Sequence, residues 1–163
     1  MDKHEILDEM RKTEEYLCDL EKMLCECECE RWKPNIHNLY YYVDSTGSTS
    51  DTYFIPSSND IKRFNTYNCF RTKEQAKLEA EKILVRRMLE DIARRLNKGQ
   101  GIDWGDKNQC KWFIIYDTTF GIETYSVSEN IIQGVVYCLD ENFLNTAIKE
   151  IGEERLKKYL RGE

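Results

Sequence analysis

The sequence lacks the long apolar segments that membrane insertion and export require. No run approaches the roughly eighteen consecutive apolar residues of a membrane-spanning helix. The charged start MDKHEILDEM has none of the apolar stretch of a signal peptide. These absences exclude a membrane protein of the helical kind and predict a cytoplasmic location.

The sequence also has few of the residues and motifs that carry catalysis. Its two histidines, His4 and His37, stand neither in a metal-ligand spacing nor beside an obvious nucleophile. The Gly-rich phosphate loop, the G-x-G-x-x-G dinucleotide motif and the G-x-S-x-G elbow are all missing. We therefore expect a protein that is not an enzyme and that carries no cofactor and no metal.

What is present is enough for a packed core. The 163 residues are 40% hydrophobic and 12% aromatic, with 33% charged residues at the expected surface. A chain of this length buries roughly 70% of its unfolded surface without disulfides. The composition predicts one domain or two small ones.

Seven cysteines make an odd number, which in a cytoplasmic protein indicates reduced thiols. Cys25, Cys27 and Cys29 stand one residue apart, with Cys18 upstream. Structural zinc sites usually take pairs separated by two to four residues, so this spacing is poor for a metal. We interpret the run as thiols on a solvated acidic helix end and keep metal binding as the alternative.

The net charge of −6 is unevenly distributed along the chain. Residues 1–31 hold five basic and eleven acidic residues, residues 32–100 hold twelve and eight, and residues 101–163 hold seven and eleven. A mildly basic middle is therefore flanked by two acidic parts. This is neither the strong basic footprint of an ordinary nucleic-acid binder nor a uniformly acidic surface.

The first thirty residues predict one acidic helix. The stretch from residue 3 to residue 30 has no Pro or Gly, and its apolar residues follow a heptad seam. The seam consists of Ile6, Met10, Leu17, Leu20, Leu24 and Cys27, with Thr13 filling the one polar gap. About three heptads allow either a homodimer or packing along the helix's own domain, and like charges beside the seam favour antiparallel or intramolecular packing slightly.

A strong helix pattern occupies the centre of the chain. Thr72 and Gln75 form a capping-box pair, so the predicted helix starts at residue 72 and runs to about residue 96. Its apolar stripe recurs at three- and four-residue steps. The members are Ala76, Leu78, Ala80, Ile83, Leu84, Met88, Leu89, Ile92, Ala93 and Leu96.

Aromatic and branched runs predict three strands before this helix and three after it. The first three are residues 39–43, 49–55 and 63–70, with a turn over residues 44–48. The later three are residues 111–117, 122–127 and 134–138. Two further helices follow at residues 141–151, with Asp140 as N-cap, and at residues 153–160.

This order predicts an α+β fold: a long N-terminal helix, then two antiparallel three-strand-plus-helix units. The segments YYYVDST and FIIYDTT each end an aromatic strand with Asp and two hydroxyl residues, which suggests an internal repeat. The expected division is residues 1–31 (acidic helix), 32–98 (first unit), 99–110 (connection) and 111–163 (second unit). The helix at 72–96 would cover the sheet of the first unit.

The candidate binding residues are aromatic and basic. Tyr40 and Tyr42 should share the face of the first strand that points away from the helix. Exposed aromatics beside basic side chains can stack bases or anchor a protein interface. The set is Tyr40, Tyr42, Tyr53, Lys62, Arg63 and Arg71. Packing of these tyrosines inside the protein is the alternative. Asp44 and Asp117 could meet as paired carboxylates, but Asp before Ser or Thr is ordinary turn chemistry.

Two resemblances add context. The segment Phe70-x-Thr72-Lys73-Glu74-x-Ala76 resembles the three-strand-plus-helix DNA-binding module of phage tyrosine integrases, although that module has a strongly basic sheet. A wider set of segments is similar to a family of small accessory proteins of phages and prophages of low-GC Gram-positive bacteria. These segments are Trp32-Lys33-Pro34, residues 41–45, residues 68–76, Asp103-Trp104 and residues 151–159.

This resemblance implies a phage-encoded protein that works in the cytoplasm of the host cell. Its acidic parts could compete with nucleic acid for a basic channel. We therefore expect an anti-CRISPR-like inhibitor that blocks a nucleic-acid-binding effector of a host defence system. The alternative is a module that binds a nucleotide or nucleic acid directly through its aromatic and basic residues.

Overall fold

The computed structural model describes Thr13 and residues 31–163, and within this part the α+β class is confirmed. Two sheets of two strands each occur with four helices. In chain order the elements are β1 (Leu39–Val43), β2 (Thr49–Tyr53), α1 (Ser58–Asn65), α2 (Lys73–Leu96), β3 (Lys111–Asp117), β4 (Gly121–Val127), α3 (Phe143–Ile151) and α4 (Glu153–Arg161). The predicted N-terminal helix, its possible dimer seam and the cysteine run lie outside the described residues, apart from Thr13.

The chain divides into two compact units. The described part of the first consists of residues 31–40 and 52–71. The second consists of residues 41–51 and 72–163. Helix α2 is therefore grouped with the C-terminal half of the chain.

The turn between β1 and β2 is organised by one carboxylate. Asp44 Oδ1 accepts hydrogen bonds from the backbone N–H of Thr46 at 2.8 Å and of Ser48 at 3.1 Å. Asp44 Oδ2 accepts another from the hydroxyl of Ser50. Asp117 organises the turn after β3 in a similar way, because its Oδ1 accepts hydrogen bonds from the backbone N–H of Thr119 and of Phe120. The likeness of the two segments is thus a shared turn chemistry.

The predicted third strand of the first unit, residues 63–70, is wrong. Helix α1 occupies residues 58–65 because Ser57 and Asp60 form a capping box. The Ser57 hydroxyl accepts from the N–H of Asp60 at 3.3 Å, and Asp60 Oδ2 accepts from the N–H of Ser57 at 3.4 Å. The chain therefore enters a helix where a strand was expected.

The predicted third strand of the second unit, residues 134–138, is also wrong. Strands β3 and β4 pair in antiparallel register, with Lys111 opposite Val127 and Asp117 opposite Gly121. Of the predicted strand 134–138, only Cys138 pairs, through reciprocal backbone bonds with Trp112 of 2.7 and 2.8 Å. The preceding loop closes on itself, since the Tyr137 hydroxyl bonds both the N–H and the carbonyl of Ile132. Two three-strand units are therefore not formed.

Helix α2 begins as predicted. The Thr72 hydroxyl accepts from the N–H of Gln75, and the Gln75 side chain accepts from the N–H of Thr72, both at 3.2 Å. One stripe of the helix is buried, although the exact residues differ from the prediction. Val85, which the predicted stripe omitted, is fully buried, whereas Leu78 and Leu84 are exposed.

The core of the second unit covers this stripe of α2. It joins α2 to one residue of β3, to Cys138 and to the apolar faces of α3 and α4. The buried members are Val85, Leu89, Ile92, Ala93, Ile114, Cys138, Phe143, Ala147, Ile151 and Leu156. Each large side chain buried here contributes on the order of 1.5–3 kcal/mol. Helix α2 therefore packs on α3 and α4.

Two arginine pairs join the polar side of α2 to the C-terminal helices. Arg95 holds Glu150 of α3 through two bonds, of 3.1 Å and 2.5 Å. Arg155 of α4 holds Glu81 in the same bidentate way. Water and salt screen exposed pairs of this kind, so they orient the helices more than they stabilise them.

The start of α3 differs from the prediction. Asn142 occupies the N-cap position and makes no side-chain cap bond. Asp140 instead accepts from the N–H of Asn142 at 2.8 Å, which forms a turn just before the helix. The predicted N-cap at Asp140 is therefore wrong, and α3 begins two residues later than expected.

Lys111 is fully buried at the start of β3. Its Nζ donates to the carbonyls of Asp106 at 2.8 Å and of Ser128 at 2.9 Å. It also lies 5.4 Å from the centre of the Trp104 ring. A buried ammonium needs such partners, and here they tie the connection at 99–110 to the end of β4.

No helix in the described part of the chain has both the length and the apolar character that a membrane crossing needs.

The capping box of α2 gives the first prediction. Thr72→Ala removes the side-chain acceptor for the N–H of Gln75, and such a loss typically costs about 1 kcal/mol. We expect urea denaturation to show a free energy of unfolding lower by about that amount. Thr118→Ala, at an exposed turn position, is the matched control and should leave the free energy unchanged. Equal effects of the two substitutions would contradict the role of the cap.

Candidate binding surface

A buried polar network joins β1 to α1 in the first unit. Tyr40 is fully buried, and its hydroxyl donates to Asp60 Oδ1 at 2.7 Å. Arg63 Nη1 donates to the same hydroxyl at 3.0 Å and lies 3.6 Å from Asp60 Oδ1. The Tyr40 ring packs edge-on against Phe54 at 6.1 Å between ring centres. The network therefore fixes α1 on the base of the hairpin.

The ionisation of this network suits a structural role. Burial and the bond to Asp60 raise the pKa of Tyr40 to about 12, so the hydroxyl stays protonated and donates. Burial alone would raise the pKa of Asp60, but hydrogen bonds from Tyr40, Ser57 and Ile55 outweigh it and leave the pKa below its usual value. Asp60 therefore remains ionised, and its carboxylate accepts hydrogen bonds from all three of these residues.

The six predicted binding residues lie in different environments, some buried and some exposed. Tyr40 and Arg63 come together, but in the buried network, so the expectation that Tyr40 is displayed on the sheet surface is wrong. The physical reason is the buried carboxylate of Asp60, which needs the Tyr40 hydroxyl as a donor. Tyr42 is half-buried. Of the remaining three, Tyr53 is 61% exposed, and Lys62 and Arg71 are also exposed.

A second cluster in the first unit was not predicted. The guanidinium of Arg31 lies 3.8 Å from the centre of the Phe64 ring and 3.9 Å from that of Tyr67. Lys33 Nζ lies 5.5 Å from the Phe64 ring. Arginine stacked on aromatic rings is held in one orientation, at a gain of about 0.5–1 kcal/mol for an exposed pair. We call Arg31, Lys33, Phe64 and Tyr67 the arginine–aromatic cluster.

Tyr67 sits where a glycine would ordinarily be. It follows the C-cap Thr66 of α1, and its φ is +60°. The N–H of Tyr67 donates to the carbonyl of Phe64, and the N–H of Asn68 donates to that of Arg63. These two bonds define a Schellman motif, whose left-handed position favours Gly because a Cβ is strained there. The ring of Tyr67 is nevertheless 74% exposed.

The first unit also exposes many large apolar side chains. It holds thirty of the described residues, but six of the twelve large apolar side chains that are exposed in the described part of the chain. These six are Ile36, Leu39, Tyr53, Ile55, Ile61 and Tyr67. Scattered single apolar residues are normal at a surface, whereas such a concentration is typical of interaction sites.

The described part of the first unit is basic. Its charged residues are Arg31, Lys33, Lys62, Arg63 and Arg71 against the single carboxylate of Asp60. The surface therefore combines positive charge with apolar and tyrosine side chains. Aromatic residues and Arg are both enriched at protein interfaces.

Sequence reasoning missed the arginine–aromatic cluster because its members lay in segments interpreted as a helix end and a strand. The signal that could have found it was the Ser57-x-x-Asp60 pair after Pro56, which marks a helix start. With α1 in place, Phe64 and Tyr67 come one turn apart near its C-terminal end. Arg31, far away in sequence, gives no local sign that it joins them.

The turn carboxylates have only a local role. Hydrogen bonds from Thr46 lower the pKa of Asp44, and those from the N–H of Phe120 and Thr119 lower the pKa of Asp117. No group of three or more His, Cys, Asp or Glu residues is placed to hold a metal ion among residues 31–163. Each carboxylate is thus accounted for by the turn that it organises.

The chain matches no protein-family model, no curated protein and no solved structure.

The buried network predicts a defined effect of Asp60→Ala. The Tyr40 hydroxyl and the N–H groups of Ser57 and Ile55 would lose their acceptor. We expect the free energy of unfolding to fall by about 1–3 kcal/mol. Asp51 is an exposed carboxylate on β2, so Asp51→Ala is the matched control and should change the free energy of unfolding little.

The same variant should alter the pH dependence of stability. The pKa of Asp60 is lower in the folded state than the unfolded value of about 3.9. The carboxylate thus stabilises the fold above pH ~4, and this contribution is lost as the pH falls further. We expect the difference in free energy of unfolding between wild type and Asp60→Ala to narrow below pH ~4. A constant difference from pH 7 to pH 3 would contradict this account.

The left-handed conformation of Tyr67 predicts that glycine is more favourable than alanine at this position. Tyr67→Gly and Tyr67→Ala both remove the ring, but only the Ala variant keeps a Cβ in the left-handed conformation. We expect the Gly variant to be more stable than the Ala variant by about 1 kcal/mol in urea denaturation. At Tyr53, in a strand, the same pair should show the opposite order, since Gly weakens strands. An Ala variant at position 67 as stable as the Gly variant would rule out the strain.

Proposed function

We propose that this protein acts by binding a protein target through the exposed surface of its first unit, and that it has no catalytic role. The observation that supports this most is the concentration of large apolar side chains there, next to the arginine–aromatic cluster. Tyr and Arg dominate the energetics of protein interfaces, because they bring large, rigid contact areas.

The conformation of Tyr67 supports the same proposal. A bulky residue in the left-handed region costs on the order of 1–2 kcal/mol, whereas its stacking with Arg31 returns about 0.5–1 kcal/mol. The fold alone would therefore favour glycine at this position. A partner that buries the exposed ring gives a reason for tyrosine.

We further propose that the target is a nucleic-acid-binding effector of a host defence system. This part rests on the resemblance to phage accessory proteins and on the charge pattern of the chain. Residues 1–30 carry four basic and eleven acidic residues. Acidic segments of this kind are suited to occupy a basic channel that otherwise grips nucleic acid.

The alternative function is direct binding of single-stranded nucleic acid by the same surface. The observation in its favour is the excess of basic residues in the described part of the first unit, beside the exposed rings of Tyr53 and Tyr67. Basic and aromatic side chains together bind backbone phosphates and stack bases.

The proposal predicts that the protein weakens CRISPR interference and that this effect depends on Tyr67. Truncating a central hot-spot residue costs about 2 kcal/mol or more, so Tyr67→Ala should lower the affinity for the target roughly thirty-fold. The readouts are plasmid interference in a bacterial strain carrying a CRISPR nuclease, and binding of the purified nuclease by isothermal titration. Phe120→Ala, an equally exposed aromatic in the second unit, is the matched control and should behave like wild type.

The same purified samples separate the two functions. A protein complex that survives nuclease treatment supports the defence target. Salt-sensitive binding of an oligonucleotide that falls with Lys62→Ala and Arg71→Ala supports the alternative. Unchanged interference, together with no binding of any defence effector, would refute the proposed target.

A further inference from the structure

A groove of about 410 Å³ lies in the second unit between the N-terminal half of α2 and the C-terminal part of α4. This volume lies in the lower part of the range of about 300–1,000 Å³ that is typical of small-molecule sites. Its walls include Lys77, Leu78 and Lys82 from α2 and Lys158 and Tyr159 from α4. Both sides are regular helices, so the groove does not depend on a loop.

An ion pair inside the groove fixes the two helices. The half-buried Arg155 donates through Nε and Nη2 to the two carboxylate oxygens of Glu81, the second bond being 3.0 Å long. Its Nη1 also lies 3.6 Å from the sulfur of Met88. Bidentate pairs of this kind restrict geometry as well as adding energy. The spacing of the two helices that carry the lysines is therefore held by the protein itself.

The charges left in the groove are positive. Both of its side-chain carboxylates already have arginine partners: Glu81 pairs with Arg155, and Glu163 pairs with Arg161 at 2.5 Å. Lys77, Lys82 and Lys158 make no ion pair with any described residue. Three ammonium groups thus surround a groove whose acidic groups are neutralised, which favours an anionic ligand.

The lysines are not equivalent. The Nζ of Lys82 lies 4.0 Å from the position that a Cβ on Gly162 would take, at the C-terminal end of α4. An ammonium there is also attracted by the negative end of the helix dipole. Lys77 and Lys158, one on each wall, remain as the main contacts for an anion.

The floor of the groove is apolar. Leu78 belongs to the apolar stripe expected for α2, yet it is 37% exposed and lines the groove. The half-buried Tyr159 packs against the core, which holds its ring in place. A bare inorganic anion would leave these apolar surfaces in water, whereas a ligand with a flat organic body would cover them.

We propose that this groove binds a nucleoside phosphate, with its phosphate between Lys77 and Lys158 and its base on Leu78 and Tyr159. Lysine binds phosphate as a mobile point charge, and bases stack on aromatic side chains irrespective of sequence. The site is separate from the surface of the first unit and does not rest on the function proposed above.

The test is a titration of the full-length protein with ADP, GDP, CDP and UDP by isothermal calorimetry. We expect saturable binding of at least one of them, weakened roughly ten-fold or more by Lys77→Gln combined with Lys158→Gln, because the double variant removes both charges that hold the phosphate. The matched control combines Lys73→Gln with Lys149→Gln, two exposed lysines outside the groove, and should keep wild-type affinity.

Two further titrations identify what is bound. Adenosine and inorganic phosphate should each bind more weakly than ADP, because each carries only one half of the ligand. Thermal unfolding of both double variants should match wild type, so that a loss of binding cannot be ascribed to misfolding. The proposal is overturned if no nucleotide binds saturably, if the control variant loses affinity equally, or if phosphate alone binds as tightly as the nucleotides.

Discussion

The apolar stripe of α2 is the constraint on which the second unit depends. A 24-residue helix with Val85, Leu89, Ile92 and Ala93 on one face must bury that face to be stable, since an isolated helix gains little from propensity alone. A two-stranded hairpin has too little surface to bury such a stripe by itself. The stripe is covered by α3 and α4 together with β3. This packing also determines which polar side chains of the three helices lie next to one another.

Both candidate sites follow from how polar side chains pair within each unit. In the first unit the buried carboxylate of Asp60 pairs with Tyr40, which is buried, and with Arg63, which is half-buried. Arg31 and Tyr67 remain exposed. In the second unit the pairing of Glu81 with Arg155 consumes an acidic side chain that would otherwise balance the lysines of the groove. In each unit this pairing decides which charges remain for a ligand.

Local signals gave reliable predictions where a side chain and its backbone partner are close in sequence. The capping box of Thr72 and the turn of Asp44 are of this kind, and both are confirmed. The strand predicted at 111–117 is confirmed as well, and it pairs with the strand that follows its own turn. The strand predicted at 63–70 failed because aromatic residues suit both strands and helices, and the cap at Ser57 decided for a helix. The strand predicted at 134–138 failed because strand formation needs a partner edge, and only Cys138 finds one.

The sequence by itself determined the α+β class, the ends of the long helix, both hairpin turns and the uneven distribution of charge. Each of these depends on interactions within a few residues or on composition. Only the tertiary structure decided that Tyr40 is buried, that Arg31 stacks between Phe64 and Tyr67, and that Leu78 lines a groove. These outcomes depend on contacts between residues that are far apart in sequence. Such contacts form only when the helices and strands pack together.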